Sequence, residues 1–169
     1  AYWVAATDVF GRVTRDTIQV NYVDNALLNH PDTTICQGSS ITLIPNLATP
    51  GNYTYLWQNN STSPTLTASA AGNYFVRVTE TSTGCSVYSD TLTLNVDNFA
   101  STVSLGPDKS LCAGNKIGLV SPATGWNSLA FNWSNGTTDS LLTVSISGTY
   151  NVTVTSAIGC VGSDNINVV

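Results

Sequence analysis

The sequence predicts an all-β fold built from tandem antiparallel β-sandwich modules. Short runs of alternating apolar and polar residues predict the strands, and clusters of Gly, Pro, Asn and Ser separate these runs at regular intervals. No window has a convincing helical period. The same phrases also occur twice along the 169 residues. This matters for function, because a repeated module is interpreted differently from a single catalytic domain.

The repeat is visible in two matching phrases, "NHPDTTICQGSSITLI" at 29–44 and "LGPDKSLCAGNKIGLV" at 105–120. Several landmarks keep the same spacing from one copy to the other, so the chain contains two full copies of one module. The corresponding pairs, 76 or 75 positions apart, are Cys36 and Cys112, Trp57 and Trp133, Tyr74 and Tyr150, and Cys85 and Cys160.

A third, partial copy precedes them. Tyr2 corresponds to Tyr74 and Gly11 to Gly84, while Arg12 occupies the place of the second cysteine. We therefore expect the first residues to be the last hairpin of an incomplete module, completed by chain outside this sequence because a lone hairpin is marginal in water. The predicted organisation is 1–23 as the C-terminal hairpin of an incomplete module (first repeat), 24–32 as a linker, 33–97 as a full module (second repeat), 98–108 as a linker and 109–169 as a full module (third repeat).

Each full copy has the pattern of half-buried strands. Residues 73–78 and 91–96 alternate between apolar and polar side chains, and the phrases "SITLIP", "KIGLVS", "TYLWQ" and "AFNWS" predict further strands. We expect Trp57 and Trp133 to be the central core aromatics. Several short strands in a module of this size favour a compact antiparallel sandwich.

Two features make the predicted modules Ig-like. A tryptophan lies between two cysteines in each copy, which is the order found in antibody domains. In antibody domains both cysteines lie within strands, whereas here the first precedes a strand and the second lies in a turn. "AAGNY" and "ISGTY" place a glycine two residues before a tyrosine, which resembles the tyrosine corner of such sandwiches. We expect Tyr74 and Tyr150 to have structural rather than catalytic hydroxyls.

The four cysteines form no CxxC pair, which disfavours zinc or thioredoxin-like chemistry. Their even number, with a surface rich in Ser, Thr and Asn, favours an oxidising, extracytoplasmic setting. Because the repeats are equivalent, we predict disulfides within each module, from Cys36 to Cys85 and from Cys112 to Cys160. Each would close about 50 residues and stabilise its module by roughly 4 kcal/mol in the chain-entropy model. Free buried thiols are the alternative.

Charge and composition exclude several functions. The net charge is −5 with five basic residues, so no basic stripe is available to neutralise the phosphates of a nucleic acid. The apolar runs are too short to span a bilayer, and the first residues do not resemble a signal peptide. His30 is the sole histidine, and no catalytic constellation repeats with the modules. We predict no enzyme activity, no catalytic residue and no cofactor.

Carboxylates and aromatic residues remain as candidate binding groups. Asp24 and Asp97 lie in "VDN" phrases at the module junctions and are weak calcium candidates, with Asx-type turns as the favoured alternative. Trp3 and Phe75 occupy equivalent outward positions and, with Trp126 in a loop, are candidate surface contacts.

The phrases "LGPDKSLCAG" and "FNWSNGTTDSLLTVSISGTYNVTVTSAIGC" resemble the Ig/PKD-like repeats of secreted and cell-surface proteins of Bacteroidetes, including gliding-motility adhesins exported by the type IX system. The resemblance implies O-glycosylation where Asp precedes Ser or Thr and then an apolar residue or Thr. The matching positions here are Thr17, Thr33, Thr91 and Ser140.

Together these features predict a structural segment of a long extracellular repeat protein, serving as a stalk, fibre or adhesin shaft on the cell surface. The partners would be neighbouring modules of the same or adjacent chains. The alternative is a carbohydrate- or surface-binding module that uses its exposed aromatics to contact surface glycans.

Overall fold

The structure is a computed structural model that describes residues 2–18, 26–47, 51–121 and 129–169. Asp24 and Trp126, two of the candidate site residues, lie outside these ranges. The predicted all-β, Ig-like sandwich fold is confirmed. The strands, in chain order, are β1 (Tyr2–Thr7), β2 (Val13–Ile18), β3 (Leu27–Leu28), β4 (Thr33–Cys36), β5 (Ile41–Leu43), β6 (Pro45–Asn46), β7 (Tyr53–Trp57), β8 (Leu66–Ala68), β9 (Gly72–Tyr74), β10 (Val76–Glu80), β11 (Ser86–Tyr88), β12 (Leu92–Asp97), β13 (Ile117–Val120), β14 (Ala130–Trp133), β15 (Leu141–Val144), β16 (Gly148–Thr155) and β17 (Val161–Val168).

The first hairpin consists of β1 and β2, paired from Tyr2 with Ile18 to Thr7 with Val13. Every residue of both strands is exposed, including Trp3 and Val4. The alternating pattern thus forms strands here without burying an apolar face. The expectation that other chain completes this hairpin stays a prediction.

The chain forms two compact units, and the first comprises residues 1–32, 42–68 and 73–93. Within it β10 pairs antiparallel with both β7 and β11. The predicted alternation is present in β10, where Val76 and Val78 are fully buried and Arg77 between them is exposed. Trp57 at the end of β7 is also buried, as predicted for a central core aromatic.

The second unit comprises residues 33–41, 69–72 and 94–169. One sheet has the order β14-β16-β17, another pairs β13 with β15, and β4 pairs in parallel with β12. Side chains from the first two of these sheets form one hydrophobic core around Trp133, which explains the alternation along these strands. The buried members of this core are Phe99, Val103, Leu105, Leu119, Trp133, Leu142, Val144, Val152, Val154, Cys160, Ile166 and Val168.

A short 3₁₀ helix, Phe99–Thr102, lies in the segment predicted as a linker. Phe99 is fully buried in the core of the second unit, so this part of the linker is packed structure. The helix approaches β17 closely at Gly162, where an added Cβ would lie 2.6 Å from Val103 Cγ2 and 2.9 Å from the carbonyl oxygen of Ala100. Glycine at 162 therefore permits this contact. In the described part of the chain, no helix has the length and apolar character needed to cross a membrane.

Candidate functional site

A disulfide joins Cys36 of the second repeat to Cys160 of the third, with an S–S distance of 2.03 Å and Cα atoms 5.4 Å apart. Both cysteines belong to the second compact unit. Cys160 is 1% exposed within the hydrophobic core, and the half-buried Cys36 packs against that core. The predicted bonds within modules, Cys36–Cys85 and Cys112–Cys160, are therefore wrong. Within the described residues, Cys85 and Cys112 form no disulfide.

The path of the last strand explains why a bond from Cys112 to Cys160 does not form. Cys160 lies just before β17 begins, whereas the segment leading to Cys112 runs beside its end, where the Leu111 amide donates to the Val169 carbonyl at 2.6 Å. The nine residues from Val161 to Val169 span about 30 Å at ~3.3 Å each. A disulfide requires Cα atoms within about 7 Å. Repeat equivalence alone could not reveal this separation.

Cys36 has the same relation to its own last strand. It pairs in parallel with Asp97, the final residue of β12, and the Gln37 amide donates to the Asp97 carbonyl at 2.8 Å. The chain then continues directly through the 3₁₀ helix that packs against Gly162. A cysteine that precedes the first sandwich strand of one repeat thus lies near the hairpin of the repeat that follows.

The two cysteines that lead into the full repeats are held by the same turn. We call Cys36 and Cys112 the leading cysteines. In each turn the residue three positions later donates its amide to the cysteine carbonyl, Ser39 at 2.9 Å and Asn115 at 3.0 Å. The second of the two residues between them is a glycine with φ of +84°, a conformation that residues with a Cβ rarely adopt. The half-buried Cys36 is bonded, and Cys112 is exposed and unbonded.

The other two cysteines also occupy matching positions. We call Cys85 and Cys160 the hairpin cysteines, because each ends the turn between two antiparallel strands. The Cys85 carbonyl accepts a hydrogen bond from the Glu80 amide at 2.9 Å, and the Cys160 carbonyl accepts one from Ser156 at 2.8 Å. The second repeat has one extra residue in this turn, which accounts for the spacing of 75 rather than 76.

The first hairpin has the same turn with a different residue at the cysteine position. The Asp8 amide donates to the Arg12 carbonyl at 2.9 Å, and the Arg12 guanidinium contacts the Asp8 carboxylate at 2.8 Å. A hydrogen bond from the Arg12 backbone amide is the main cause that lowers the pKa of Asp8. At this turn an ion pair between exposed side chains therefore stands where the other two hairpins have a cysteine.

Aspartates at the beginning and end of each repeat act as acceptors for buried or constrained backbone amides. Asp90 accepts from Leu28 at 2.7 Å, and Asp164 accepts from Leu105 at 2.6 Å. These bonds correspond to each other across the repeat, and each connects the segment before the repeat to its last hairpin. We call them the aspartate latches. A charged acceptor on an amide is stronger than a neutral one, so each latch fixes its repeat.

A second pair of aspartates makes the reverse bond three or four residues further along the chain, with the carboxylate on the leading segment and the amide on the last strand. Asp32 accepts from the Thr93 amide at 2.7 Å, and Asp108 accepts from the Asn167 amide at 2.9 Å. These bonds of Asp32 and Asp108 were not predicted from the sequence. The signal was their constant spacing from the leading cysteines, four residues in each copy.

The structure gives no support to a calcium site at the candidate aspartates. Asp97 is 8% exposed and its carboxylate accepts the Phe99 amide at 2.7 Å, which is an Asx-type turn. Within the described ranges, no group of three or more potential ligands lies together. Asp24 lies outside those ranges.

The candidate contact aromatics have different surroundings. Trp3 is 69% exposed, and the Arg15 guanidinium lies 5.8 Å from its ring centroid. Phe75 is half-buried and packs against Tyr88, with ring centroids 6.3 Å apart. Trp126 lies outside the described residues.

Hydrogen bonds explain the structural roles predicted for three aromatic residues. The Tyr150 hydroxyl donates to the Ile146 carbonyl at 2.8 Å, four residues upstream, as in a tyrosine corner. The Trp133 indole donates to the Asp139 carbonyl at 2.8 Å, and the Trp57 indole donates to Ser63 at the same distance. These bonds satisfy the polar atoms of large buried rings.

The candidate glycosylation positions differ in accessibility. Thr17, Thr91 and Ser140 are exposed, whereas Thr33 in β4 is half-buried. Thr91 is followed directly by the buried Leu92, which orients adjacent side chains to opposite faces of the strand. That an attached sugar occupies any of them stays a prediction.

Comparisons with known proteins give weak likenesses. No protein-family profile matches the chain. No curated protein matches it either. Among solved structures, it is similar to three N-terminal domains of the bacteriophage RB49 Highly Immunogenic Outer Capsid protein (21% identity, 85% of this chain and 58% of that chain, TM-score 0.46) and to Drosophila OTK extracellular domains 3–5 (12%, 94% and 66%, 0.40). It is also similar to DIP-gamma IG1+IG2 (12%, 88% and 94%, 0.42). The chain spans less than two thirds of the first two structures.

Proposed function

We propose that this chain is a structural segment of a long extracellular repeat array that serves as a stalk, fibre or adhesin shaft at a cell surface. In this proposal the array belongs with the Ig/PKD-like repeats of Bacteroidetes surface proteins, including gliding-motility adhesins. Its partners are neighbouring repeats of the same or adjacent chains, and its role is mechanical.

The observation that carries this proposal is the Cys36–Cys160 disulfide. It joins residues 124 positions apart and connects the beginning of one repeat to the hairpin of the next. A bond of this kind resists separation of successive repeats under tension. Disulfides persist in oxidising compartments, which supports an extracellular location.

The aspartate latches support the same role. Asp90 and Asp164 each hold the segment before a repeat against that repeat's last hairpin. Because the bonds recur in both copies, the segments before the repeats are held in the same way each time. A chain built for length and stiffness needs such fixed segments rather than flexible linkers.

The alternative function is binding of surface glycans through exposed aromatics. Trp3 is the observation that favours it, because an indole 69% exposed offers a flat apolar face to a sugar ring. Phe75 is half-buried against Tyr88 and has less free surface than an isolated ring. A glycan array in which the wild-type chain binds and Trp3→Ala does not would favour this alternative.

Force spectroscopy on the 169-residue chain, pulled from its two termini, tests the structural role. With the disulfide intact, the 124 residues between Cys36 and Cys160 cannot extend, which withholds roughly 450 Å of contour length at ~3.6 Å per residue. Reduced protein and Cys36→Ser should release that length. Full extension of the oxidised wild-type chain would contradict the proposal.

A further inference from the structure

The bonded pair of cysteines relates one repeat to the next. Cys36 is a leading cysteine and Cys160 is the hairpin cysteine of the next repeat. The unbonded Cys112 has the position, turn and glycine conformation of Cys36 one repeat later. By the same relation, its partner is the hairpin cysteine of a repeat that follows the third.

The strand beside Cys112 is also built like the strand beside Cys36. Thr33 pairs in parallel with Leu94, and Lys109, which is 76 positions after Thr33, pairs in parallel with Val168. Cys36 and Cys112 each lie three residues beyond these pairs. The leading segment of the third repeat is therefore aligned along its last strand as that of the second repeat is.

The two leading cysteines differ in exposure, as expected if Cys36 is bonded to its partner and Cys112 is not. Cys36 is half-buried and packs against the core of the unit that contains Cys160. Cys112 occupies the same turn but is exposed. Cys85 shows the complementary state, because it is a hairpin cysteine with no bonded leading cysteine among the described residues.

We propose that Cys112 forms a disulfide with the hairpin cysteine of a following repeat of this same type in the same polypeptide, so that successive repeats are joined by a ladder of leading-to-hairpin bonds. The inference rests on the proposed array function. Formation of the bond removes two protons and two electrons from two thiols. A disulfide donor, such as oxidised glutathione, accepts them by exchange and leaves as two thiols.

A fusion chain tests the bond directly. Residues 96–169 are appended after Val169, because Leu94 corresponds to Val168 and residue 96 therefore continues the strand in register. In the appended copy Cys112 is replaced by serine, because its peptide would otherwise be identical to that of Cys112 in the present chain. The fusion therefore has five cysteines, the four of the present chain and the appended copy of Cys160. It is oxidised in a glutathione redox buffer, alkylated without reduction and mapped by peptide mass spectrometry.

The expected map contains Cys36–Cys160 and a second bond from Cys112 to the appended copy of Cys160. Alkylation of the Cys112 peptide, complete in the 169-residue chain, should be lost in the fusion. The matched control is the fusion with Cys112→Ser, in which the appended copy of Cys160 should become alkylated while Cys36–Cys160 still forms.

Two outcomes overturn the inference. Cys112 that remains alkylated in the fusion, or that bonds to Cys85, shows that this relation does not extend beyond the second and third repeats. If Cys36–Cys160 forms in either case, the array function still stands and the ladder alone fails. If oxidised wild-type protein lacks Cys36–Cys160, the observation supporting both proposals fails.

Discussion

Replacing Cys36 with serine tests the structural role of the disulfide most directly. Cys36 is the preferred site because it is half-buried, whereas Cys160 is 1% exposed and its replacement would also disturb the core. In Cys36→Ser the Cys160 thiol stays in that core as a small apolar side chain. The change therefore removes the bond with little loss of packing.

The expected destabilisation follows from the length of chain that the bond closes. For 124 residues the chain-entropy model gives a loss of about 5 kcal/mol in the free energy of unfolding. This is an upper value, because any structure that persists between the two cysteines shortens the effective loop. A loss of about 3 to 5 kcal/mol in the second compact unit is the expected result.

Native-state amide exchange of Val152 and Val154 measures this loss, because both lie fully buried in β16 and report opening of the second unit's core. Cys112→Ser is the matched control, since Cys112 occupies the equivalent turn but is exposed and unbonded. The control should lie within about 0.5 kcal/mol of wild type. Equal protection in Cys36→Ser and Cys112→Ser would refute the reasoning.

Three further predictions concern individual side chains. Asp164→Ala leaves the buried Leu105 amide without its acceptor and should destabilise the second unit by about 1 to 3 kcal/mol by amide exchange, whereas the exposed Asp139→Ala should change it by less than about 0.5 kcal/mol. Equal effects would contradict the latch. The lowered pKa of Asp8 means that its contribution to the first hairpin is complete above the ordinary value of 3.8 and is lost as the pH falls through the lower folded value. An NMR titration of the Phe10 and Arg12 amides, which donate to the Asp8 carboxylate, should therefore show its transition below 3.8, and a midpoint at or above 3.8 would be inconsistent with the turn described. Thr91 should carry a hexose-type mass before other sites in protein from a Bacteroidetes-type host, since it is exposed beside buried Leu92; an intact mass without added sugar, or sugar on Thr33 alone, would remove this prediction.

Local pattern was sufficient to predict strands and, in β10, the face that turns inward. Alternation in "YFVRV" placed Val76 and Val78 inward, because a pleated strand directs successive side chains to opposite faces. The glycine two residues before Tyr150 likewise indicated the corner that its hydroxyl completes at Ile146. These features depend on residues that are close together in the chain, so a short stretch of sequence is enough to predict them.

The 3₁₀ helix was not anticipated, because four residues are too few to show a period. Phe99 in this helix belongs to a core that also contains residues of β16 and β17, which lie more than fifty positions later in the chain. Its burial turns a predicted linker into part of a core. The close approach at Gly162 has the same origin, since the contact is with Ala100 and Val103.

Repeat equivalence correctly paired the positions of the cysteines, and the tertiary structure decided which of them bond. A repeat relation specifies that Cys36 and Cys112 are alike, but a bond within a repeat and a bond to the next repeat satisfy that relation equally well. The choice depends on which end of the last strand each cysteine occupies. Leu111 lies beside the end of β17, and Cys160 precedes its beginning. The length of that strand therefore excludes a bond within the repeat and leaves the neighbouring repeat to supply the partner.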